Sequence, residues 1–231
     1  MFLPLKDDNP LLIIPFQIVT SLLVAANIFV FVVFESGLVI KAATAATMGF
    51  GMIPNLVFDH AVADPRFAAI PDTLTLLTYM FVHAGWMHLI SNMAFLWVFG
   101  DNIEDAMGHV KFLVFYLACG VAAALSHALM TPDQAAPLVG ASGAGAGVIA
   151  AYLLLHPRVK VWVLLFSRIP LKIPAMYVLG GWLLVQIVSL LASDNGNVAW
   201  WAHMGGFAAG LILTPLLKRD NIPLFDRGAS H

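Results

Sequence analysis

The charged residues are unevenly spread along the chain and leave six long stretches that contain none. These stretches are residues 9–34, 73–100, 112–132, 134–157, 173–193 and 195–217. Each is longer than the roughly 18–20 apolar residues that a helix needs to cross a bilayer. The pattern therefore predicts an all-α fold, a polytopic bundle with transmembrane helices at about 11–34, 76–100, 112–131, 142–157, 173–193 and 199–217.

Composition supports a membrane protein. Hydrophobic residues make up 61% of the 231 positions and charged residues 10%, against about a quarter charged in ordinary globular chains. The formal net charge of -2 comes without a basic cluster, which argues against nucleic acid as a partner. Cys119 is the one cysteine, so an internal disulfide and a cysteine-based metal cluster are excluded.

Lysine and arginine are unequally divided between the loops on the two sides of the predicted bundle. If the N-terminus is inside, the outer segments hold only Lys41 and Arg66, and the inner segments hold the other nine. Because an excess of these residues stays cytoplasmic, we predict a cytoplasmic N-terminal tail (1–10), an outer loop (35–75) and a cytoplasmic C-terminal tail (218–231). The chain shows no transit-like leader, which favours a prokaryotic plasma membrane.

Polar residues inside the predicted spans are informative, because they are costly in a bilayer and tend to mark function. His88 and Asn92 stand four residues apart in the sequence HLISN and therefore share one face of the second span. Ser142 opens the fourth span, and His203 lies near the start of the sixth. Since every even-numbered span enters from the outside, these four residues are predicted to lie at one depth.

Small residues predict that the fourth and sixth spans pack closely. Gly143 and Gly147 in GASGAGAG, and Gly206 and Gly210 in AHMGGFAAG, each follow a small-xxx-small spacing. Such glycines allow two helix backbones to approach each other. The two spans can then bring the serine hydroxyl within hydrogen-bond reach of the histidine, which is a nucleophile beside its base.

Other hydrolytic sites do not fit the sequence. A G-x-S-x-G nucleophile elbow fails because Ala144 follows Gly143. The HExxH motif of zinc metalloproteases is absent. An intramembrane aspartyl protease needs two buried aspartates, but only Asp101 closely follows a span. A serine–histidine site that uses neither metal nor cofactor remains.

Taken together, these motifs resemble those of the rhomboid family of intramembrane serine proteases. The resemblance covers about 74–217 and rests on HAGWMHLISN, FGDNIED, GASG and AHMGGFAAG. It implies a six-helix bundle around a water-filled cavity that opens to the outside. It also implies that Ser142 is the nucleophile and His203 its base. By the same resemblance His88, Asn92 and the backbone N–H of the serine stabilise the oxyanion.

The chain departs from the family pattern in two places and matches it at a further position. The first outer loop lacks the Trp-Arg pair of some bacterial members, and Ala146 stands where some members have a tyrosine stacked under the histidine. The orientation of His203 must then depend on other groups. Glu104 matches a glutamate near the cytoplasmic end of the second span, and we expect it to be structural.

The predicted function is hydrolysis of peptide bonds in or next to transmembrane segments of membrane-protein substrates, on the outer side. One alternative is a catalytically inactive rhomboid-like protein that binds membrane clients, although such relatives usually lack the serine or the histidine. The other is a channel or transporter, which the lack of repeats and of charged residues in the spans disfavours. Substrate membrane proteins and the lipid bilayer are the predicted partners, and the oligomeric state is left open.

Overall fold

A computed structural model describes residues 2–165, 168–192 and 199–225. The last residue of the fifth predicted span and residues 226–231 of the predicted C-terminal tail lie outside this range. The α-helices, in chain order, are α1 (Ile18–Val30), α2 (Ala43–Phe50), α3 (Pro54–Val57), α4 (Thr75–Thr78), α5 (Trp86–Met107), α6 (His109–Met130), α7 (Ser142–Leu155), α8 (Ala175–Leu191) and α9 (Trp200–Leu217). A π-helical segment, Phe31–Glu35, continues α1, and the 3₁₀ turns Asp72–Leu74 and Tyr79–Phe81 flank α4.

The mostly helical structure confirms the predicted class, and it adds a small sheet that the expectation of an all-α fold omits. Three antiparallel strands, β1 (Phe2–Asp7), β2 (Lys160–Leu165) and β3 (Ile169–Pro174), pair in the order β1-β2-β3. β1 belongs to the predicted N-terminal tail, while β2 and β3 form a hairpin between α7 and α8. The sheet therefore lies beyond the C-terminal end of α7, at the end of the bundle opposite Ser142.

The first and second predicted spans differ most from the observed helices. The first span is predicted from residue 11, but α1 begins at Ile18, because Pro10 and Pro15 interrupt the preceding segment and proline disfavours helix at its own position and before it. The second predicted span, 76–100, is broken at residues 82–85, and its helix continues to Met107.

Two helical segments of the described chain are both long and apolar enough to cross a bilayer, Ile18–Glu35 and His109–Met130. Helices α7 and α8 are apolar but shorter. Helix α5 is long, but its C-terminal half carries three carboxylates. The number of six spans therefore stays a prediction.

Buried carboxylates join the end of α5 to the start of α1. Glu104 is fully buried and accepts hydrogen bonds from the backbone N–H groups of Val19 and Thr20, each at 2.8 Å. These groups lie in the first turn of α1, where a helix offers no internal partner. Asp105 accepts three further backbone N–H groups, from residues 12–14. Both carboxylates thus have a structural role at the entry to α1.

Helices α6, α7 and α9 pack with their backbones close together. A Cβ atom at Gly206 would collide with the carbonyl oxygen of Gly143, and one at Gly210 would collide with the backbone of Gly147. A Cβ atom at Gly147 would lie 2.6 Å from the Cβ of Cys119 in α6 and 3.2 Å from the carbonyl oxygen of Gly206 in α9. The four predicted packing glycines therefore lie at helix contacts where no larger side chain fits.

Two aspartates, the last residue of β1 and the residue after it, connect the sheet to α7 and link its first strand to its third. The hydroxyl of Tyr152 in α7 donates to Asp7 at 2.5 Å, and the Asp8 carboxylate pairs with Lys172 of β3 at 2.6 Å. Burial raises the pKa of Asp7 from its ordinary value of 3.8 to about 6. The attachment therefore includes a carboxyl group that titrates near neutral pH.

Candidate active site

The backbone before α7 brings Ser142 into position. Gly140 adopts a φ of 109°, which favours glycine, and its N–H donates to the carbonyl oxygen of Tyr79 at 2.9 Å. A Cβ atom at Gly140 would lie 2.6 Å from the His88 ring. The turn therefore requires glycine for its conformation and for space, and it directs the chain into α7, which begins at Ser142.

Ser142 and His203 are in hydrogen-bond contact. The Oγ atom of Ser142 lies 2.8 Å from Nε2 of His203, and the histidine is buried. One residue begins α7 and the other lies in the first turn of α9. The glycine contacts between these two helices thus bring together the pair that the sequence predicts, a hydroxyl and an imidazole that can take its proton.

The other ring nitrogen of His203 faces a residue that the sequence analysis missed. Its Nδ1 lies 2.7 Å from Oε1 of Gln186 in α8, and the glutamine is buried. An amide oxygen only accepts hydrogen bonds, so this contact assigns the proton to Nδ1 and leaves Nε2 as an acceptor towards Ser142. Gln186 could have been found as the single amide in the fifth predicted span, since polar groups there tend to be functional.

Two tryptophan rings lie beside His203. The ring centroids of Trp182 and Trp200 are 5.6 Å and 6.2 Å from that of the histidine. They come from α8 and α9, whereas the position on α7 where some family members have a tyrosine is Ala146. Aromatic contact with the histidine is therefore supplied by different helices in this chain.

His88 and Asn92 lie in the first two turns of α5 and line the same cavity as the serine–histidine pair. Asn92 donates one amide hydrogen to the His88 carbonyl at 3.0 Å, which leaves its second hydrogen available. The Ala84 N–H approaches Nδ1 of His88 at 3.4 Å, an arrangement suited to a ring with its proton on Nε2. With the free N–H groups at the start of α7, these side chains can donate hydrogen bonds to a developing oxyanion.

The cavity around these residues has a volume of about 1420 Å³. Phe95 of α5 and Val185 of α8 line two of its sides. Helix α8 packs mainly against α7, α9 and β3, and the cavity opens between its residues and those of α5. It is large enough for an extended peptide segment and is lined mainly by apolar groups.

No carboxylate hydrogen-bonds to Ser142 or His203 within the described ranges. The same part of the chain holds no group of three or more His, Cys, Asp and Glu residues that could bind a metal ion.

His83 packs edge-on against His88 with ring centroids 5.2 Å apart, and its backbone N–H donates to Glu35 at 2.6 Å. His127 lines the cavity. The chemistry that this arrangement can perform is proton transfer from a serine hydroxyl to a neutral imidazole, followed by nucleophilic attack.

The fold and the site define a helical membrane protein with a serine–histidine pair in a cavity. A family model described as the Rhomboid domain matches residues 71–220, so the chain belongs to the rhomboid family. The resemblance noted in the sequence is thereby confirmed, and the chain is a polytopic helical bundle embedded in a membrane.

Relatives support a protease-like function at the level of the family. The chain is 30% identical over 161 residues to RHOMBOID-like protein 12, mitochondrial, of Arabidopsis thaliana, an alignment that covers 63% of this chain and 46% of the relative. It is 30% identical over 155 residues to Rhomboid-like protein 11, chloroplastic, of the same plant, covering 62% and 52%. It is also 30% identical over 144 residues to Rhomboid-like protease 3 of Toxoplasma gondii, covering 62% and 51%. The chain thus spans about half the length of these relatives.

Proposed function

We propose that this chain is a serine endopeptidase that hydrolyses peptide bonds in or next to transmembrane segments of membrane-protein substrates. The observation that carries the proposal is the 2.8 Å distance between Ser142 Oγ and His203 Nε2 at the start of a helix that lines a cavity. The family membership and the relative named as a protease support the same reaction class.

The reaction begins when His203 Nε2 takes the proton of Ser142 and the serine oxygen attacks the carbonyl carbon of the scissile peptide bond. The tetrahedral oxyanion is stabilised by the Ser142 N–H together with Asn92 and His88. The imidazolium then donates its proton to the leaving amine, which leaves an acyl-serine. Water, deprotonated by the same histidine, hydrolyses this ester and restores the serine.

The cavity supports a membrane-embedded segment as substrate. Its walls are largely apolar, and it lies between α5 and α8 rather than inside the closely packed group of α6, α7 and α9. A substrate strand of mainly apolar residues can therefore reach Ser142 without separating the helices that carry the serine–histidine pair.

The decisive experiment is labelling with a serine-directed fluorophosphonate, combined with cleavage of a model transmembrane substrate in liposomes. The wild type should react with the probe and cleave the substrate, whereas Ser142→Ala and His203→Ala should do neither. Ser189→Ala in α8 is the matched control and should behave as wild type. A folded wild type that is not labelled, or labelling that persists in Ser142→Ala, would refute the proposal. The inactive client-binding alternative predicts capture of the substrate without cleavage.

The proposed orientation places both termini on the cytoplasmic side of the membrane and the site towards the outside. Its support is the unequal division of lysine and arginine between the loops. Single cysteines at the exposed positions Ala135 and Lys160, introduced after Cys119 is replaced, should react with an impermeant maleimide only at 135 in intact cells. Equal labelling at the two positions would overturn the orientation.

A further inference from the structure

Gln186 makes a contact that packing alone does not require. The neighbouring residues of α8 are mainly apolar, whereas the Oε1 atom of Gln186 lies 2.7 Å from Nδ1 of His203 in α9. Both side chains are buried, with 5% and 7% exposure. A buried amide that makes a short hydrogen bond to one chosen ring nitrogen holds that ring in a defined position, because breaking the bond would leave two buried polar groups unpaired.

The nature of the partner determines which nitrogen of His203 can act as a base. A neutral imidazole carries one proton, and the nitrogen without it is the acceptor. Because Gln186 presents its oxygen to Nδ1, the proton is held there and Nε2 keeps its lone pair towards Ser142. The opposite tautomer would point an N–H group at the serine oxygen and could not remove its proton.

The same helix also restricts rotation of the ring. Trp182 precedes Gln186 by four residues, so both side chains lie on one face of α8, and its ring is 5.6 Å from that of His203. Trp200 closes another side at 6.2 Å. Position 146 of α7 is alanine, which has no ring to contribute. Helix α8 therefore supplies one polar and one aromatic contact to the histidine.

We infer that Gln186 is a positioning residue of this site: its side-chain oxygen holds His203 in the tautomer and orientation that accept the Ser142 proton. The inference rests on the proposed protease function. Gln186 occupies the place of a third group beside the histidine but brings no charge, so it fixes the ring without stabilising the imidazolium as strongly as a carboxylate would.

The test compares Gln186→Leu and Gln186→Glu with wild type and with the control Ser189→Ala, which removes a hydroxyl three residues further along α8. The readouts are kcat and KM for a model transmembrane substrate over a pH series, the rate of fluorophosphonate labelling, and the melting temperature. We expect Gln186→Leu to reduce kcat and the labelling rate about 10²-fold, since a small misplacement of a catalytic group has an effect of this order. KM should change little, and the melting temperature should fall only by what one unpaired buried N–H group costs, so that the variant stays folded in the assay.

Gln186→Glu restores the acceptor and should recover most of the activity lost in the leucine variant. A carboxylate beside an imidazole favours the protonated ring, so the acidic limb of the pH–rate profile should move to higher pH by about one unit or more. This shift would show that residue 186 contacts the ring, and a loss of kcat without a change in KM in the leucine variant would show that the contact serves the chemical step.

The inference would be overturned by a leucine variant with wild-type kcat, or by a loss of rate that follows a loss of folding. It would also be overturned by a glutamate variant that is as inactive as the leucine variant, or by one that keeps the wild-type pH profile. Each of these results is compared with a wild type that is active and with Ser142→Ala, which is inactive. A wild type without such activity would overturn the proposed function itself, and the inference with it.

Discussion

The two helices that carry the serine–histidine pair are held differently from the two helices that carry its supporting groups. Helices α7 and α9 meet through their backbones, with Gly206 against the carbonyl of Gly143. Helices α5 and α8 instead contribute individual side chains: Asn92 lines the cavity, and Gln186 contacts the histidine. The distance between hydroxyl and imidazole is thus a property of helix packing, whereas the supporting hydrogen bonds depend on single side chains.

This difference separates stability from rate. A side chain on α5 or α8 that faces the site can be removed without disturbing the α7–α9 contact, so its loss should reduce the rate much more than the stability. A methyl group added between α7 and α9 has no space, because the obstruction is backbone. Such a change should lower stability first and activity as a consequence.

Among the residues that support the serine–histidine pair, the largest expected effect is the loss of rate in Asn92→Ala. Removing one oxyanion donor typically reduces kcat by about 10²–10³, or roughly 2.7–4 kcal/mol, so traces of activity should remain while Ser142→Ala leaves none detectable. The measurement is kcat on a model transmembrane substrate, with a thermal melt of the same sample. Ser91→Ala is the control, because its hydroxyl donates to the same His88 carbonyl as Asn92 does. Wild-type cleavage by Asn92→Ala would remove the residue from the site.

The next effect is on stability, at the contact between α7 and α9. Gly206→Ala should lower the free energy of unfolding by up to about 3 kcal/mol, the upper range for overpacking, because the new methyl group meets a backbone carbonyl that cannot rotate away. Thermal unfolding in one detergent measures the loss.

The control for this change is Gly180→Ala in α8, where a Cβ atom would meet nothing within 4 Å. It should be neutral or slightly stabilising, since alanine favours helix over glycine by about 1 kcal/mol. Equal melting temperatures for the two variants would show that α7 and α9 are not held by the glycine contact.

A smaller loss is expected at the opposite end of α5. Glu104→Gln exchanges one carboxylate oxygen for an NH₂ group that cannot accept the N–H groups of Val19 and Thr20 together, so about 2 kcal/mol of stability should be lost. The chemical step should remain largely intact in the protein that stays folded. Asp133→Asn is the control, because that carboxylate is exposed and pairs only at the surface with His60. A loss of kcat comparable to that of His203→Ala in well-folded Glu104→Gln would reveal a third catalytic group.

Much of the site could be predicted from the sequence because its parts are local motifs. The glycine spacings at 143 and 147 and at 206 and 210 indicate close helix contact by themselves, and the polar residues stand out in runs without charge. Gln186 could not be assigned a partner in this way, because α8 has no motif and the contact depends on how far α8 lies from α9. Its amide was nevertheless visible as a polar residue in an apolar run.

The helical class could be predicted from the long runs without charge, whereas the sheet and the helix ends could not. β1 and its partner β2 are short segments far apart in the sequence, and only the folded bundle brings them together. The start of α1 depends on prolines inside an apolar run, and the break at 82–85 has no charge to mark it. Hydropathy measures transfer into a membrane, and it is insensitive to where backbone hydrogen bonding begins or stops.

The smallest expected effect concerns the attachment of the sheet, and its sign depends on pH. Burial raises the pKa of Asp7 from 3.8 to about 6, so folding favours the protonated carboxyl. Its contribution to stability is fully present below about pH 4 and is lost as the pH rises through 6. Asp7→Asn keeps an oxygen that can accept the Tyr152 hydroxyl and never acquires the charge. It should therefore raise stability at pH 7.5 by about 1 kcal/mol, less than the full shift implies because the group is partly solvated.

The measurement is the difference in melting temperature between Asp7→Asn and wild type at pH 5 and pH 7.5, since other titrating groups cancel in that difference. The variant should gain on wild type as the pH rises. Asp64→Asn supplies the opposite case, because hydrogen bonds from Arg66 lower the pKa of Asp64 to about 2, so that this carboxylate keeps its charge throughout the interval. Its difference from wild type should be the same at the two pH values. A difference for Asp7→Asn that is likewise independent of pH would show that the Asp7 carboxyl is already charged at pH 5, and that burial does not raise its pKa.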